Sequence, residues 1–259
     1  MHPQATVDQA RVLSDLGLID REVALIVGVP LPTVRKWRTG KRRAPSRRGA
    51  RFPCPRCADE VALPEPAGEY AYVLGLYLGD GHIVHPGGRS KAVWRLSVSC
   101  ADDWPGLVRE CARAMRAVRP DNRVALRQRQ GCVEVSSLSR HWPCLFPQHG
   151  PGKKHDRLIE LADWQQVIVD EYPGDFARGL FHSDGYRGMN RVRRRWGDRD
   201  QWFEYPRYLF SNKSEDILRL CGEALDRLGV EWRFSRADTI SVARREAVAR
   251  LDEFVGPKY

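Results

Sequence analysis

Apolar and polar positions along this chain switch between helical and alternating periods, and the same order of switches is written twice. The run Val73-Leu74-Gly75-Leu76-Tyr77-Leu78 leads into Gly79-Asp80-Gly81, and Ala177-Arg178-Gly179-Leu180-Phe181-His182 leads into Ser183-Asp184-Gly185. Each run predicts a buried helix ending at its Asp-Gly step. A basic stretch follows each, then a strand: Val93–Ser99 in the first half and Tyr208–Ser211 in the second. Amphipathic helices come next, Leu107-Val108-Arg109-Glu110-Cys111 matching Ile217-Leu218-Arg219-Leu220-Cys221. Two more strands are predicted in each half, Arg123–Gln130 with Cys132–Ser136 and Trp232–Arg236 with Thr239–Ala243. A last short helix then leads to a glycine- and proline-flanked lysine. The pattern predicts an α+β fold of two pseudo-symmetric αββαββα repeats.

Residues 7–40 have a different, purely helical period. Ala10, Val12, Leu13, Leu16 and Leu18 are spaced for one buried face. Asp20 is expected to cap a helix over Arg21–Val27, which Gly28-Val29-Pro30 ends. A second short helix is expected at Pro32–Arg38, burying Val34 and Trp37 and exposing Thr33, Arg35, Lys36 and Arg38. Helix, glycine turn and basic helix is the outline of a helix-turn-helix DNA reader; a helical hairpin with a solvated basic face has the same outline. The boundaries expected are 1–40 for this head, 41–69 for a linker, and 70–165 and 166–259 for the repeats.

Charge narrows the partners. The 259 residues carry a formal net charge of +10, which favours a polyanion, most simply double-stranded DNA. The linker Lys41-Arg42-Arg43-Ala44-Pro45-Ser46-Arg47-Arg48 has no apolar period and is suited to tracking phosphates. No stretch approaches the roughly 18 apolar residues of a membrane span, and no signal-peptide run opens the chain. A soluble protein, cytoplasmic and nucleoid-associated, is expected, and the internal duplication suggests a monomer. The seven cysteines are scattered and read as reduced thiols. Cys54-Pro55-Arg56-Cys57 is half of a zinc site. A turn bearing two thiols explains the same residues and is the favoured reading.

The duplication keeps acids and bases in register. Asp80 and Asp184 are 104 residues apart, and so are Lys154 and Lys258. Small residues at every fourth position, Gly75 and Gly79 against Gly179 and Ser183, let two helices approach closely. Packed together, they would bring both aspartates to one face. Helix C-termini already carry partial negative charge, so the pair calls for a cation, and Mg²⁺ accepts such oxygen ligands. Arginines are candidates for a groove-facing sheet: Arg123, Arg127 and Arg129 with Gln128 and Gln130 form one set, Arg191, Arg193, Arg194 and Arg195 follow the second motif, and Arg233 and Arg236 lie in a later strand. Alternation alone leaves open which of them share a face.

From residue 70 to 259 the chain resembles the LAGLIDADG homing endonucleases of the two-motif, single-chain type, on the strength of its two nine-residue motifs and their downstream lysines. The resemblance implies a DNA-binding saddle and a site-specific double-strand cut leaving 3′ overhangs. It implies that Asp80 and Asp184 bind Mg²⁺ or Mn²⁺, with the carbonyls of Gly79 and Ser183 as further ligands. It also places Lys154 (or Lys153) and Lys258 as the basic residues beside each centre. Two features depart from the family pattern: Leu78 and His182 stand where an earlier acid is usual, and a helical head precedes the repeats. A non-cleaving DNA-binding regulator on the same scaffold is the alternative reading, and an RNA-splicing cofactor a third.

Overall fold

The computed structural model describes residues 4–38, 63–87, 93–196, 199–256 and 258–259. Cys54, Cys57 and the basic segment after Arg38 lie outside the described residues, as do the side chains of Lys36 and Arg194. The chain divides into two compact units, residues 1–47 and residues 48–259. Among the described residues no helix is long and apolar enough to cross a membrane.

The first unit contains three helices, α1 (Gln4–Asp15), α2 (Asp20–Val27) and α3 (Leu31–Arg38). They close over Val7, Ala10, Val23, Ala24, Val29, Val34 and Trp37. Gly28 ends α2 in the left-handed region at φ 66° and returns its N–H to the Ala24 carbonyl, the glycine stop expected for such a turn. Two expectations fail here. The buried face of α1 runs through Val7 and Ala10, whereas Val12 and Leu16 are exposed, because α2 and α3 cover only a narrow stripe of this helix. Asp20 is not the cap of α2. Ile19 holds that position, and its N–H is satisfied by Glu22 Oε2 at 3.0 Å. Asp20 instead receives Arg38 Nε at 2.8 Å, with Arg35 Nε 3.8 Å away.

The second unit begins with α4 (Ala67–Leu78), which is followed by β1 (Gly81–Val84), β2 (Trp94–Ala101), α5 (Pro105–Val118), β3 (Val124–Arg129), β4 (Cys132–Ser139) and the short α6 (Trp142–Leu145). After α7 (Asp163–Glu171) the order repeats: α8 (Pro173–Asp184), β5 (Gly185–Trp196), β6 (Arg199–Ser211), α9 (Glu215–Arg227), β7 (Arg233–Arg236), β8 (Thr239–Val242) and α10 (Arg245–Asp252). Both sheets are antiparallel and match strand for strand, in the orders β1-β2-β4-β3 and β5-β6-β8-β7. The α+β duplication is therefore present as expected. Helix α7 was not expected, because it lies in the segment between the two matched patterns and has no counterpart to reveal it. The basic stretch 191–195, expected ahead of the strand, is itself part of β5. On one face of this ribbon Arg191 meets Glu204 at 3.3 Å and Arg193 pairs with Asp200 across the strands.

One core joins both repeats, and α4 and α8 lie at its centre. From Tyr70 to Leu78 every residue of α4 is buried, which explains why this run is apolar on all sides. The two helices touch backbone to backbone. A Cβ at Gly75 would stand 2.5 Å from Phe176 O, and one at Gly179 would stand 2.2 Å from Tyr72 O. Gly179→Ala is therefore expected to destabilise the fold by about 3 kcal/mol, the upper end of overpacking costs. Gly131→Asn, at an open hairpin turn with φ 72°, should change stability by less than about 1 kcal/mol because Asn tolerates that region. Paired chemical denaturation curves would check both values; equal losses would mean the seam can spread.

Candidate active site at the helix seam

The close contact of α4 and α8 continues to their C-terminal ends. A Cβ at Gly79 would meet Ser183 Oγ at 2.0 Å and would stand 3.1 Å from Asp184 Oδ2. Beyond the acids, Gly81 and Gly185 turn each chain back onto its own helix; a Cβ there would strike Tyr77 Cα at 2.4 Å or Phe181 O at 2.5 Å. The two Asp-Gly steps are thus forced side by side by packing that only small residues permit.

Both lysines arrive at this seam and donate to backbone carbonyls. Lys154 Nζ donates to Gly79 O at 2.5 Å, and Lys258 Nζ donates to Ser183 O at 3.2 Å and Gly185 O at 2.7 Å. Lys154 is held by a single 3-10 turn, Lys154–Asp156, and its ammonium lies 5.2 Å from the centre of the Tyr77 ring. Lys258 is held by its neighbour Tyr259, whose carbonyl accepts the Leu107 N–H at 3.1 Å at the start of α5.

Two recesses open beside the seam, and each draws on both repeats. One, of about 450 Å³, is lined by Asp184 with Gly79, Lys154 and Asn212. The other, of about 80 Å³, is lined by Asp80 with Ser183, Lys258 and Trp104. The sequence register pairs each acid with the lysine of its own repeat. In space each acid shares a recess with the carbonyl and lysine of the other repeat. The crossing follows from the helix contact, because each C-terminus abuts the facing helix.

The electrostatics reflect crowding. Asp80 is exposed as a residue, yet loss of hydration around its carboxyl, and then the Asp184 charge, push it up to about 6 against the pull of both lysines. Burial also raises Asp184, opposed first by the hydrogen bond from Asn212. Burial lowers Lys154 to about 8 and lowers Lys258, while the two aspartates hold both up. His182 is a packing residue: Tyr72 Oη lies 3.0 Å from Nδ1 and Val255 O lies 2.9 Å from Nε2. A carbonyl only accepts, so Nε2 carries the proton and Nδ1 receives the Tyr72 hydroxyl. Burial keeps His182 neutral by lowering it to about 4.

The donors present are hard oxygens: two carboxylates and the Gly79 and Ser183 carbonyls, already arranged around ammonium groups. That chemistry suits Mg²⁺ or Mn²⁺ with water and phosphate oxygens completing the shell. No cluster of three or more His, Cys, Asp or Glu occurs among the described residues, so a cation here would depend on those outside ligands. Asn212 was missed by the sequence reading. Its Nδ2 donates to Asp184 Oδ2 at 2.7 Å while its Oδ1 accepts from Ser214 N at 2.9 Å. The signal was a polar residue between a strand end and the capping Ser214.

The ladder settles which arginines share a face. Leu96, Val98 and Cys100 of β2 are buried against the helices. In register with them are Ser137, Val135 and Val133 of β4, and beyond those Val124, Leu126 and Gln128 of β3. Arg127 and Arg129 therefore lie on the opposite, outer face, with Arg129 paired to Glu134 at 2.9 Å. Arg123 is exposed just before β3. In the second sheet Arg233 and Arg236 register with Ser241 and Thr239, and the irregularity between Phe234 and Arg236 keeps both arginines on the outer face. Arg193 and Arg195 do not join them; they share the ladder face of Arg187, which pairs with Asp252 of α10. In the first unit Arg35 and Arg38 are exposed and Thr33 is half-buried on α3.

No protein-family model matches the chain, and no curated protein matches it in sequence. Solved structures resemble it loosely. The homing endonuclease I-DmoI in complex with DNA and Mn superposes with a TM-score of 0.45 at 15% identity, over 74% of this chain and 99% of that one. I-WcaI bound to its DNA recognition sequence gives 0.45 at 12%, over 76% and 84%. The I-SmaMI LAGLIDADG homing endonuclease bound to cleaved DNA gives 0.43 at 9%, over 72% and 83%. Identities this low and superpositions this loose assign no function.

The raised carboxyls make a stability prediction. A carboxyl raised in the native state holds its proton while the unfolded chain releases it, so its contribution to stability falls as pH climbs from the usual carboxylate range to about 6. Asp80→Asn should therefore melt higher than wild type above pH 6, and the gap should close toward pH 4. Thermal melts across that range without divalent ions would check it; a lower melting point for the variant at pH 7.5 would mean the lysines hold the carboxylate charged.

Proposed function

We propose that this chain is a single-chain, two-centre DNA endonuclease of the homing-endonuclease kind, hydrolysing phosphodiesters with Mg²⁺ or Mn²⁺. The observation that carries the reading is the crossed constellation: Asp80 with the Ser183 carbonyl and Lys258, and Asp184 with the Gly79 carbonyl and Lys154. Two acids and two bases aimed at one face suit two scissile phosphates, one on each strand. A pure DNA binder gains nothing from two carboxylates facing phosphates.

In this reading each centre would hold a cation, Asp80 with the Ser183 carbonyl and Asp184 with the Gly79 carbonyl. When bound, it supplies an activated water and neutralises charge on the leaving oxygen. The lysines donate to the phosphate oxygens as charge develops there. Lys154, lowered to about 8, is also placed to exchange a proton near neutral pH. Arg127, Arg129, Arg233 and Arg236 present cations on the outer sheet faces, where strands can reach base edges or phosphates in a groove. The three-helix head, with Thr33, Arg35, Lys36 and Arg38 on its last helix, would lengthen the contact. Arg35 and Arg38 would have to leave Asp20 to do so.

The test is incubation with genomic DNA, with and without Mg²⁺, followed by sequencing of all new ends. Recurrent ends are expected from wild type only with the metal, and none from an Asp80→Asn/Asp184→Asn double variant. Lys154→Met should slow cutting about 100-fold or more while leaving DNA retention intact. Fragments retained equally by wild type and double variant, with no new ends, would sink the nuclease reading in favour of a regulator. In binding titrations on a recovered site, Arg236→Ala should weaken affinity and lower the salt slope by about one if it contacts a phosphate, whereas Arg193→Ala should change neither by a comparable amount.

A further inference from the structure

Helix α5 begins without a cap of its own. Leu107 matches Ile217 of α9, so Trp104 stands where α9 has Ser214. The Ser214 hydroxyl accepts from Ile217 N at 3.4 Å and caps α9. Trp104 has no side-chain acceptor, and its side chain makes no capping bond to α5. The matched Leu107 N–H would be one of the orphan donors of a helix start, but the Tyr259 carbonyl accepts it at 3.1 Å. The Tyr259 ring lies on the residue before. A Cβ at Gly106 would stand 2.1 Å from its Cδ2, 2.3 Å from its Cε2 and 2.5 Å from the Tyr259 oxygen. Tyr259 is 57% exposed, so core burial does not account for its position; the fit against Gly106 does.

The chain is fastened a second time just upstream. Val255 is buried, and its carbonyl accepts His182 Nε2 at 2.9 Å. Gly256 then turns the backbone in the left-handed region at φ 67°. One fastening is thus on α8 of the same repeat and the other on α5 of the first repeat. Lys258 lies between them, and its Nζ donates to Ser183 O and Gly185 O beside the recess lined by Asp80.

We propose that Tyr259 is a positioning residue: by capping α5 and resting on Gly106 it holds Lys258 at the Asp80 recess, so that the start of a first-repeat helix sets where a second-repeat base stands. The proposal rests on the nuclease reading only for its effect on cutting. A lysine ammonium is strongly hydrated and sits on a flexible stem. On an unfastened backbone Lys258 would leave a recess in which it is half-buried. Fixing the adjacent residue removes much of that freedom without using the ammonium's own bonds. The bond serves α5 as well, since α9 obtains its equivalent from its own serine.

The test is brief acetylation of the purified full chain followed by mass spectrometry of the labelled lysines, with Lys154 as the reference in the same molecule. Gly106→Ala puts a methyl group where the ring lies, and Tyr259→Gly removes the ring. Both should raise labelling of Lys258 about fivefold or more, the population shift expected from losing one helix cap, and should leave Lys154 unchanged. Tyr259→Phe keeps the ring and should label as wild type does. Melting curves would show that the variants fold; alanine favours a helix over glycine, so Gly106→Ala should not loosen α5 itself. On a plasmid carrying the recovered site, Gly106→Ala should slow cutting of one strand about tenfold or more, the same strand that Lys258→Met slows, with DNA retention intact. Lys258 labelling that stays at the wild-type level in either folded variant, or a matching rise at Lys154, would overturn the proposal. So would increased labelling with both strands still cut at the wild-type rate. If wild type cuts nothing, the nuclease reading fails, and the labelling alone decides whether Tyr259 positions Lys258.

Discussion

The contact between α4 and α8 is the constraint on which the rest depends. Two helices whose backbones meet at Gly75 and Gly179 cannot be moved apart without exposing the centre of the core, and cannot accept a single added carbon without clash. The same closeness carries both C-termini to one point, where partial negative charge and two carboxylates accumulate. A site built this way inherits its precision from packing rather than from loops. That each recess is lined by the acid of one repeat and the lysine of the other is a direct result.

That geometry costs stability, and the shifts at the seam show how the cost is distributed. Asp80 and Asp184 are both raised, and Lys154 and Lys258 are both lowered, although opposite charges face one another. Desolvation outweighs attraction for all four groups. Elsewhere in the unit ion pairs take the ordinary form, as in Arg187 with Asp252 at 2.7 Å. The seam is the place where the chain tolerates charges that its surroundings do not fully compensate, a common mark of functional sites.

Much of this was legible because the sequence is a duplication. The motif pair, the 104-residue register of acids and lysines, and the strand–helix–strand order all follow from comparing one half with the other. What had no counterpart was lost: α7 lies between the halves, and Asn212 differs in kind from Asp102. The pairing of each acid across the seam was also hidden, because residue spacing encodes repeats along the chain and not which repeat faces which. Register had to come from the ladder itself. Arg233 and Arg236 have opposite parity in sequence, and only the irregularity between them puts both on one face. Asp20 misled for a different reason: its side chain suits a cap, but its use by Arg38 is a tertiary choice.

Divergence between the repeats is concentrated where symmetry matters least to the fold and most to the centres. The helix contact retains glycine at both matched positions, Gly75 and Gly179, because any side chain would open the seam. One turn further, Gly79 faces Ser183, and the serine hydroxyl turns back to Leu180 O at 2.8 Å. Leu78 is matched by His182, whose ring joins Tyr72 to Val255 and so ties the chain leading to Lys258 into the core. In the first repeat the corresponding lysine is fixed by a 3-10 turn instead. Each repeat thus delivers a lysine to the same kind of carbonyl by a different support. That the end point is kept while the supports differ is the strongest physical argument that the end point, not the scaffold around it, is what the chain maintains.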